Sequence, residues 1–283
     1  MLPKKMLFPV GGGDELEARI YGALLVSKYF STHLEIQVAE SNVHSGMPKG
    51  MVLPNEIIDR LKKIQLENIR KIMSIHKNIF DSSCKKLDII DSEMPIENQA
   101  TAHLTMGVGL RSIMVAQQTK FCDVVIAAAP QKGVTTATFE AAVLESGKPV
   151  IVIPRALKEF KPDEIIIGWN NSPEVARAVS EAIPLMKKAK KVQIVSTKAY
   201  TTETLSRIKD LRNYLAMHGI ETTFELIKST FIPGESLLKT AQKGNFNFIV
   251  AGAYSKKGLK EIMLGGSSRY LLEHTTIPAL VSH

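Results

Sequence analysis

The sequence predicts an α/β protein made of two tandem open parallel-sheet domains, and three observations carry that prediction. Short apolar, β-branched runs alternate with longer amphipathic segments, the pattern of parallel strands joined by helical crossovers. The alternation occurs twice along the 283 residues. Each half also closes on a strand with proline at its start, Lys148-Pro-Val-Ile-Val-Ile-Pro154 and Ile277-Pro-Ala-Leu-Val-Ser282, a position where a missing N–H is tolerated. The length suits two ordinary domains. A composition of 45% hydrophobic and 23% charged residues supplies cores for both and excludes disorder, collagen and coiled coil.

Taken in order, Lys5 to Val10 reads as a buried strand, and Gly11-Gly12-Gly13-Asp14 as a tight turn before a helix. A long helix is predicted over about 55 to 80, where Ile57, Ile58, Leu61, Ile64, Ile69, Ile72, Met73 and Ile79 recur on one side and make it a packing helix. The loop 41–54 and the stretch 91–106 are candidate lids or surface connections. Phe121 to Ala129 is answered in the second half by Asn245 to Ala253. There, strands are expected near 164–169, 191–196, 221–227, 246–252 and 277–282, with helices near 173–188, 201–218, 234–243 and 265–274. The expected domains are 1–154 and 164–283. The linker 155–163 between them has charges and a proline that suit an exposed segment. Strand 277–282 is an expected edge, open to pairing in a homodimer.

The apolar runs are far shorter than the roughly 20 residues of a spanning helix, and no signal peptide opens the chain. A soluble, non-secreted, cytoplasmic protein is the expectation. Cys84 and Cys122 have no metal or redox spacing, and the seven histidines form no ligand pair. The net charge of +8 is uneven: 20 basic and 18 acidic residues lie up to Asp163, and 16 and 10 follow. Lys187, Lys188, Lys190 and Lys191 read as a solvated helix end. Without an aromatic ladder beside the lysines, a nucleic-acid partner is not expected.

In open parallel sheets ligands bind beyond the carboxyl ends of the strands. After the second half's first strand comes Gly168-Trp-Asn-Asn-Ser-Pro173, with Ser172 suited to an N-cap and Pro173 to the first helical position. The Asn170 carboxamide both donates and accepts, as an adenine edge requires. Trp169 suits either an adenine face or the interface between domains. After the fourth strand, Gly252 begins a loop that ends in Gly265-Gly266-Ser267-Ser268-Arg269 at a helix start. Glycines, hydroxyls and unpaired N–H groups there suit a phosphate, with Lys256, Lys257 and Arg269 as counter-charge. A glycine-rich loop followed by an ordinary N-cap is the alternative.

This second-half pattern resembles the universal stress protein family in its tandem two-domain bacterial form. The family's signature is Gly-x2-Gly-x9-Gly followed by a small hydroxyl residue. Gly252 and Gly265 match its first and third glycines, Ser255 replaces the second, and Gly266 stands where the hydroxyl is expected, ahead of Ser267 and Ser268. Asn170 takes the place of the family's adenine-contacting Asp. Tyr270 to His283 is similar to the family's last helix and strand, and Gly234 to Leu238 to its helix before the fourth strand. The resemblance implies a Rossmann-like, adenine-nucleotide alpha hydrolase-like fold. It also implies ATP, with or without Mg, bound by Gly168, Asn170, Gly252, Ser255, Gly265, Gly266, Ser267, Ser268 and Arg269.

The first half departs from the pattern. Its loop is five residues shorter, 21 against 26, and Ala127-Ala-Ala-Pro130 lacks the glycines, which predicts a degenerate, structural half. Gly11 to Asp14 weakly resembles the phosphate loop of ATP pyrophosphatases. The expected function is binding and signalling in the stress response through an adenine nucleotide, with unknown protein partners, the halves forming an internal pseudo-dimer. No catalytic base is evident, so weak ATPase activity is the most that is expected. The alternatives are an interaction protein with both sites inactive and, third, an adenylate-forming or pyrophosphatase enzyme.

Overall fold

The computed structural model describes residues 2–40, 54–131, 136–197, 202–228, 232–253 and 267–283. The first half contains β1 (Lys5–Val10), α1 (Leu16–Phe30), β2 (His33–Glu40), α2 (Asn55–Leu87), β3 (Ile90–Asp91) and β4 (Thr101–Val108). It continues with α3 (Arg111–Gln118), β5 (Val124–Ala128), α4 (Ala137–Glu140) running into a π-helical turn (Ala141–Glu145), and β6 (Val150–Ile153). The second half contains β7 (Glu164–Gly168), α5 (Pro173–Met186), β8 (Lys191–Thr197), α6 (Thr202–Met217), β9 (Thr223–Ile227), α7 (Pro233–Lys243), β10 (Phe248–Gly252), α8 (Ser267–His274) and β11 (Ala279–Ser282). No described helix is long and apolar enough to cross a membrane.

The strands form one eleven-stranded sheet in the order β3-β4-β2-β1-β5-β6-β11-β10-β7-β8-β9. Every neighbouring pair is parallel except β6 and β11, where the two halves meet antiparallel with Ala279 opposite Val152, Leu280 opposite Ile151 and Val281 opposite Val150. In each half the first strand lies between the second and the fourth of the repeated order, so β1/β5 and β7/β10 are topological switch points. Helices cover both faces, and the central strands are apolar on both, as in parallel sheets generally. Met6, Phe8, Ile151, Ile167, Phe248 and Leu280 lie in one core layer, and Leu7, Val125, Val150, Ile166, Ile249 and Val281 in the other. Both layers run through the antiparallel junction.

Four expectations change. Strand 277–282 is not an edge: β11 is paired on both sides, and the sheet ends at β3 and β9. Its full burial is the reason, since an apolar strand with both faces covered gains by pairing its remaining backbone groups. The segment 155–163 is not simply exposed, because Leu157, Phe160 and Pro162 are buried and carry it across the core. The stretch 91–106 is no lid throughout, since Thr101–Val108 is an inner strand. Its polar face hides it in the sequence: Thr105 Oγ1 donates to Glu35, and His103 Nδ1 lies 3.3 Å from Asp91.

Among the described residues, helix α2 packs along its later turns only. Phe80, Cys84 and Leu87 are buried and Ile72, Met73 and Ile79 lean on the core, whereas Ile57 is 45% and Ile64 48% exposed. The helix has 33 residues and β2 has eight, so at the usual rises about 50 Å of helix overruns about 27 Å of strand. Residues 41–53 of the other candidate lid lie outside the described residues.

Candidate ligand site at the second switch point

At the carboxyl end of β7 the chain turns through Trp169 to Ser172 into α5. Ser172 caps that helix, its Oγ accepting from the Val175 N–H at 3.4 Å, and Pro173 occupies the first turn. Asn171 has φ 59°, a left-handed conformation that asparagine tolerates better than most residues. Asn170 is exposed, and its Oδ1 accepts from the Ser172 N–H at 3.2 Å. That bond orients the carboxamide by its oxygen and does not use its NH2 donors.

Gly252 ends β10 directly against the start of α5. A Cβ there would lie 2.8 Å from the Val175 backbone nitrogen and 3.1 Å from Glu174 Cβ. Only glycine lets strand tip and helix N-terminus approach this closely, and the approach places the positive end of the α5 dipole at the switch point. Gly168 serves packing, since a Cβ on it would meet Leu237 Cδ2 at 2.6 Å.

Two buried polar atoms of the segment from this turn into α5 have no hydrogen-bond partner among the described residues: Trp169 Nε1, a donor, and Glu174 Oε2, an acceptor. Glu174 is only 5% exposed, and its other oxygen lies 3.9 Å from Arg177 Nη2. Buried polar atoms are usually bonded. The sequence offered no warning about Glu174, because an acidic residue in a first helical turn ordinarily reads as a solvated complement to the dipole. Trp169 packs against the core layer that spans both halves, so its ring is largely structural.

Of the remaining sequence-derived residues, Ser255, Gly265 and Gly266, with Lys256 and Lys257, lie outside the described residues. Ser267, Ser268 and Arg269 form the first turn of α8, which precedes β11, the strand that pairs in parallel with β10. Gly168 and Gly252 end the paired strands β7 and β10, and Asn170 lies in the turn just after β7.

In the first half, Gly11 to Asp14 makes the tight turn expected, with Gly13 at φ 93° and Glu15 at φ 59° just before α1. Ala127, Ala128 and Pro130 line a pocket of about 370 Å³ above that turn. Three arginines absent from the sequence-derived list, Arg19, Arg111 and Arg155, line it as well. They are far apart in the chain, and no local motif signals their convergence.

Taken together, the order of strands and the two switch points define a doubly wound α/β protein whose ligand positions lie beyond its strand tips. Structural comparison adds that the chain has the fold of the universal stress proteins along nearly its whole length. It superposes on a universal stress protein from Archaeoglobus fulgidus with a TM-score of 0.73 at 12% identity, covering 98% of this chain and 97% of that one. A Pseudomonas aeruginosa protein provisionally assigned as a universal stress protein matches with a TM-score of 0.58 at 17% identity, covering 99% and 93%. A second P. aeruginosa protein of unknown function matches at 0.54 and 17%, covering 99% and 92%. No family model and no curated protein matches the sequence.

Proposed function

We propose that the chain is a nucleotide-binding stress-response protein whose second half holds an adenine nucleotide, ATP, with or without Mg, and whose occupancy biases contacts with protein partners. The observation that carries this reading is the close approach of Gly252 to the N-terminus of α5, which brings a helix N-terminus and the unpartnered Glu174 oxygen beside the turn that carries the oriented Asn170 carboxamide. In this reading Asn170 meets the base, and Glu174 Oε2 accepts from a ribose hydroxyl, a pairing that carboxylates make in other doubly wound folds. Gly252, Ser255, Gly265, Gly266, Ser267, Ser268 and Arg269 surround the ribose and phosphates, and Gly168 shapes the strand end. With no general base in the set, hydrolysis is slow at most. The chain acts in the cytoplasm as two duplicated units, 1–154 and 164–283, paired as an internal pseudo-dimer through β6 and β11, and a homodimer would form at another surface.

Dialysed protein titrated with ATP in a calorimeter tests the proposal. Saturable heat that disappears in Gly265→Val and weakens in Asn170→Ala supports it; a folded protein giving no heat at millimolar ATP overturns it. A second reading, an interaction protein with an inactive site, draws on Ser255 in place of the signature glycine and would be marked by that silent titration.

A further inference from the structure

We propose that the pocket at the first switch point binds the phosphoryl group of a small phosphomonoester through Arg19, Arg111 and Arg155. The first half was expected to be inert because Ala127 to Pro130 cannot present glycine backbone to a phosphate. Side chains take that role here. A guanidinium presents a planar fork of N–H donors that matches two phosphate oxygens at once, and three of them line one concavity of about 370 Å³.

Their bonding separates anchored donors from available ones. Arg19 is 8% exposed; its Nη2 donates to the carbonyls of Gly11 and Gly12, both at 3.1 Å, while its Nε is buried without a partner. Arg111 lies flat on Gly11, where a Cβ would come within 2.3 Å of its Nη1. Its Nε is likewise buried and unpartnered, and its hydrogen bond to the Ala39 carbonyl is stretched to 3.5 Å. Arg155 is tied down, donating to the carbonyls of Asp14 at 2.9 Å and Ala129 at 3.4 Å and pairing with Glu15.

Two carboxylates offset the cluster only in part: Glu15 pairs with Arg155, and Asp14, which accepts from Gln131 Nε2 at 2.9 Å, favours the charge of Arg19, so three guanidiniums against two carboxylates leave one positive charge in excess. Among the described residues neither Arg19 nor Arg111 has an ion-pair partner. Burial, with the charge of Arg155 next, lowers the Arg19 pKa below its ordinary value. Like charges held this close and partly desolvated are stabilised by an anion between them. The wall of Phe8, Ala127 and Phe139 is apolar and suits an organic group, which selects an ester over free phosphate.

Calorimetry on the full chain in phosphate-free buffer, with phenyl phosphate and inorganic phosphate as probes, tests this site independently of the ATP reading. Phenyl phosphate should bind saturably. Arg111→Gln and Arg155→Gln should each weaken it by about tenfold or more, the scale of one charge-assisted hydrogen bond, while Asn170→Ala leaves it unchanged. Binding of inorganic phosphate as tight as that of phenyl phosphate would overturn the ester assignment. No saturable heat from folded protein at millimolar probe, or unchanged affinity in both arginine variants, would overturn the site itself. The melting temperature of Arg111→Gln, whose side chain makes one long hydrogen bond, distinguishes lost binding from lost folding.

Discussion

Phe160 meets Phe248 edge-on, with ring centroids 5.8 Å apart and planes at 88°. The same Phe160 ring packs against Tyr29 of α1 at 5.3 Å and 77°. A residue of the segment between the halves therefore touches a helix of the first and a strand of the second. The segment works as a staple, while β6 and β11 make the seam.

Removing that ring should destabilise the whole chain. Phe160 is 7% exposed, so Phe160→Ala should cost about 3 kcal/mol or more, the usual range for a buried aromatic truncated to alanine. Urea unfolding followed by tryptophan fluorescence reports on Trp169 in the shared core layer. A loss under about 1 kcal/mol would mean that the ring is not structural.

Two glycines at the switch points should respond differently to alanine. At Gly252 the new Cβ meets the Val175 backbone nitrogen at 2.8 Å, and backbone in a helix cannot swing aside. Gly252→Ala should cost about 1 to 3 kcal/mol by overpacking and weaken ATP. At Gly11 the obstacle is the Arg111 guanidinium, the far end of a flexible side chain. Gly11→Ala should melt close to wild type yet weaken phenyl phosphate. Equal melting shifts in the two variants would contradict the contrast.

Acidification should destabilise the fold before the carboxylates titrate. Burial, then the charge of Lys5, lowers the pKa of His33, whose Nδ1 is 2.9 Å from Thr101 Oγ1. Burial also lowers that of His76, with the charges of Arg19 and Arg111 adding to it and the hydrogen bond to the Ile72 carbonyl opposing it. Both stay neutral in the native state below the ordinary value of 6.5, where the unfolded chain already takes up protons. The stabilisation is thus complete above that value and is lost as pH falls below it through the lowered native-state values of the two histidines. Denaturant midpoints across this window should fall with pH, and more shallowly in His33→Gln/His76→Gln; an identical slope in the double variant would refute the assignment.

Neither thiol should react in the folded protein. Burial pushes both Cys84 and Cys122 up to about 12, so little thiolate exists at neutral pH. Iodoacetamide followed by mass spectrometry should show both unmodified in native buffer and both alkylated in denaturant. Rapid native labelling of either would show that the chain opens locally around it.

Much of the second half's order was legible because its signals are local. Ser172 and Pro173 announce the start of α5, and the apolar runs near 164–169 and 246–252 announce buried strands, each matched by the structure to within a few residues. Asn170 and Gly252 were legible as residues at strand ends for the same reason. Glu174 was not, since burial of a first-turn carboxylate depends on the strand tip packed over it. The extent of α2 was underestimated because no breaker follows residue 80, and its solvent-exposed turns were misjudged because periodicity reports which face is apolar without showing whether anything covers it.

By itself, then, the sequence determined the alternation of strands and helices and the glycine and cap residues that shape the strand ends, all properties of neighbours within a few positions. The tertiary structure alone decided that β11 pairs with β6 and leaves no edge there, that Phe160 bridges the halves, and that Arg19, Arg111 and Arg155 meet above Gly11. Each of these joins residues distant in the chain, and long-range pairing is settled by which buried surfaces and backbone groups find partners in three dimensions, which local pattern does not encode.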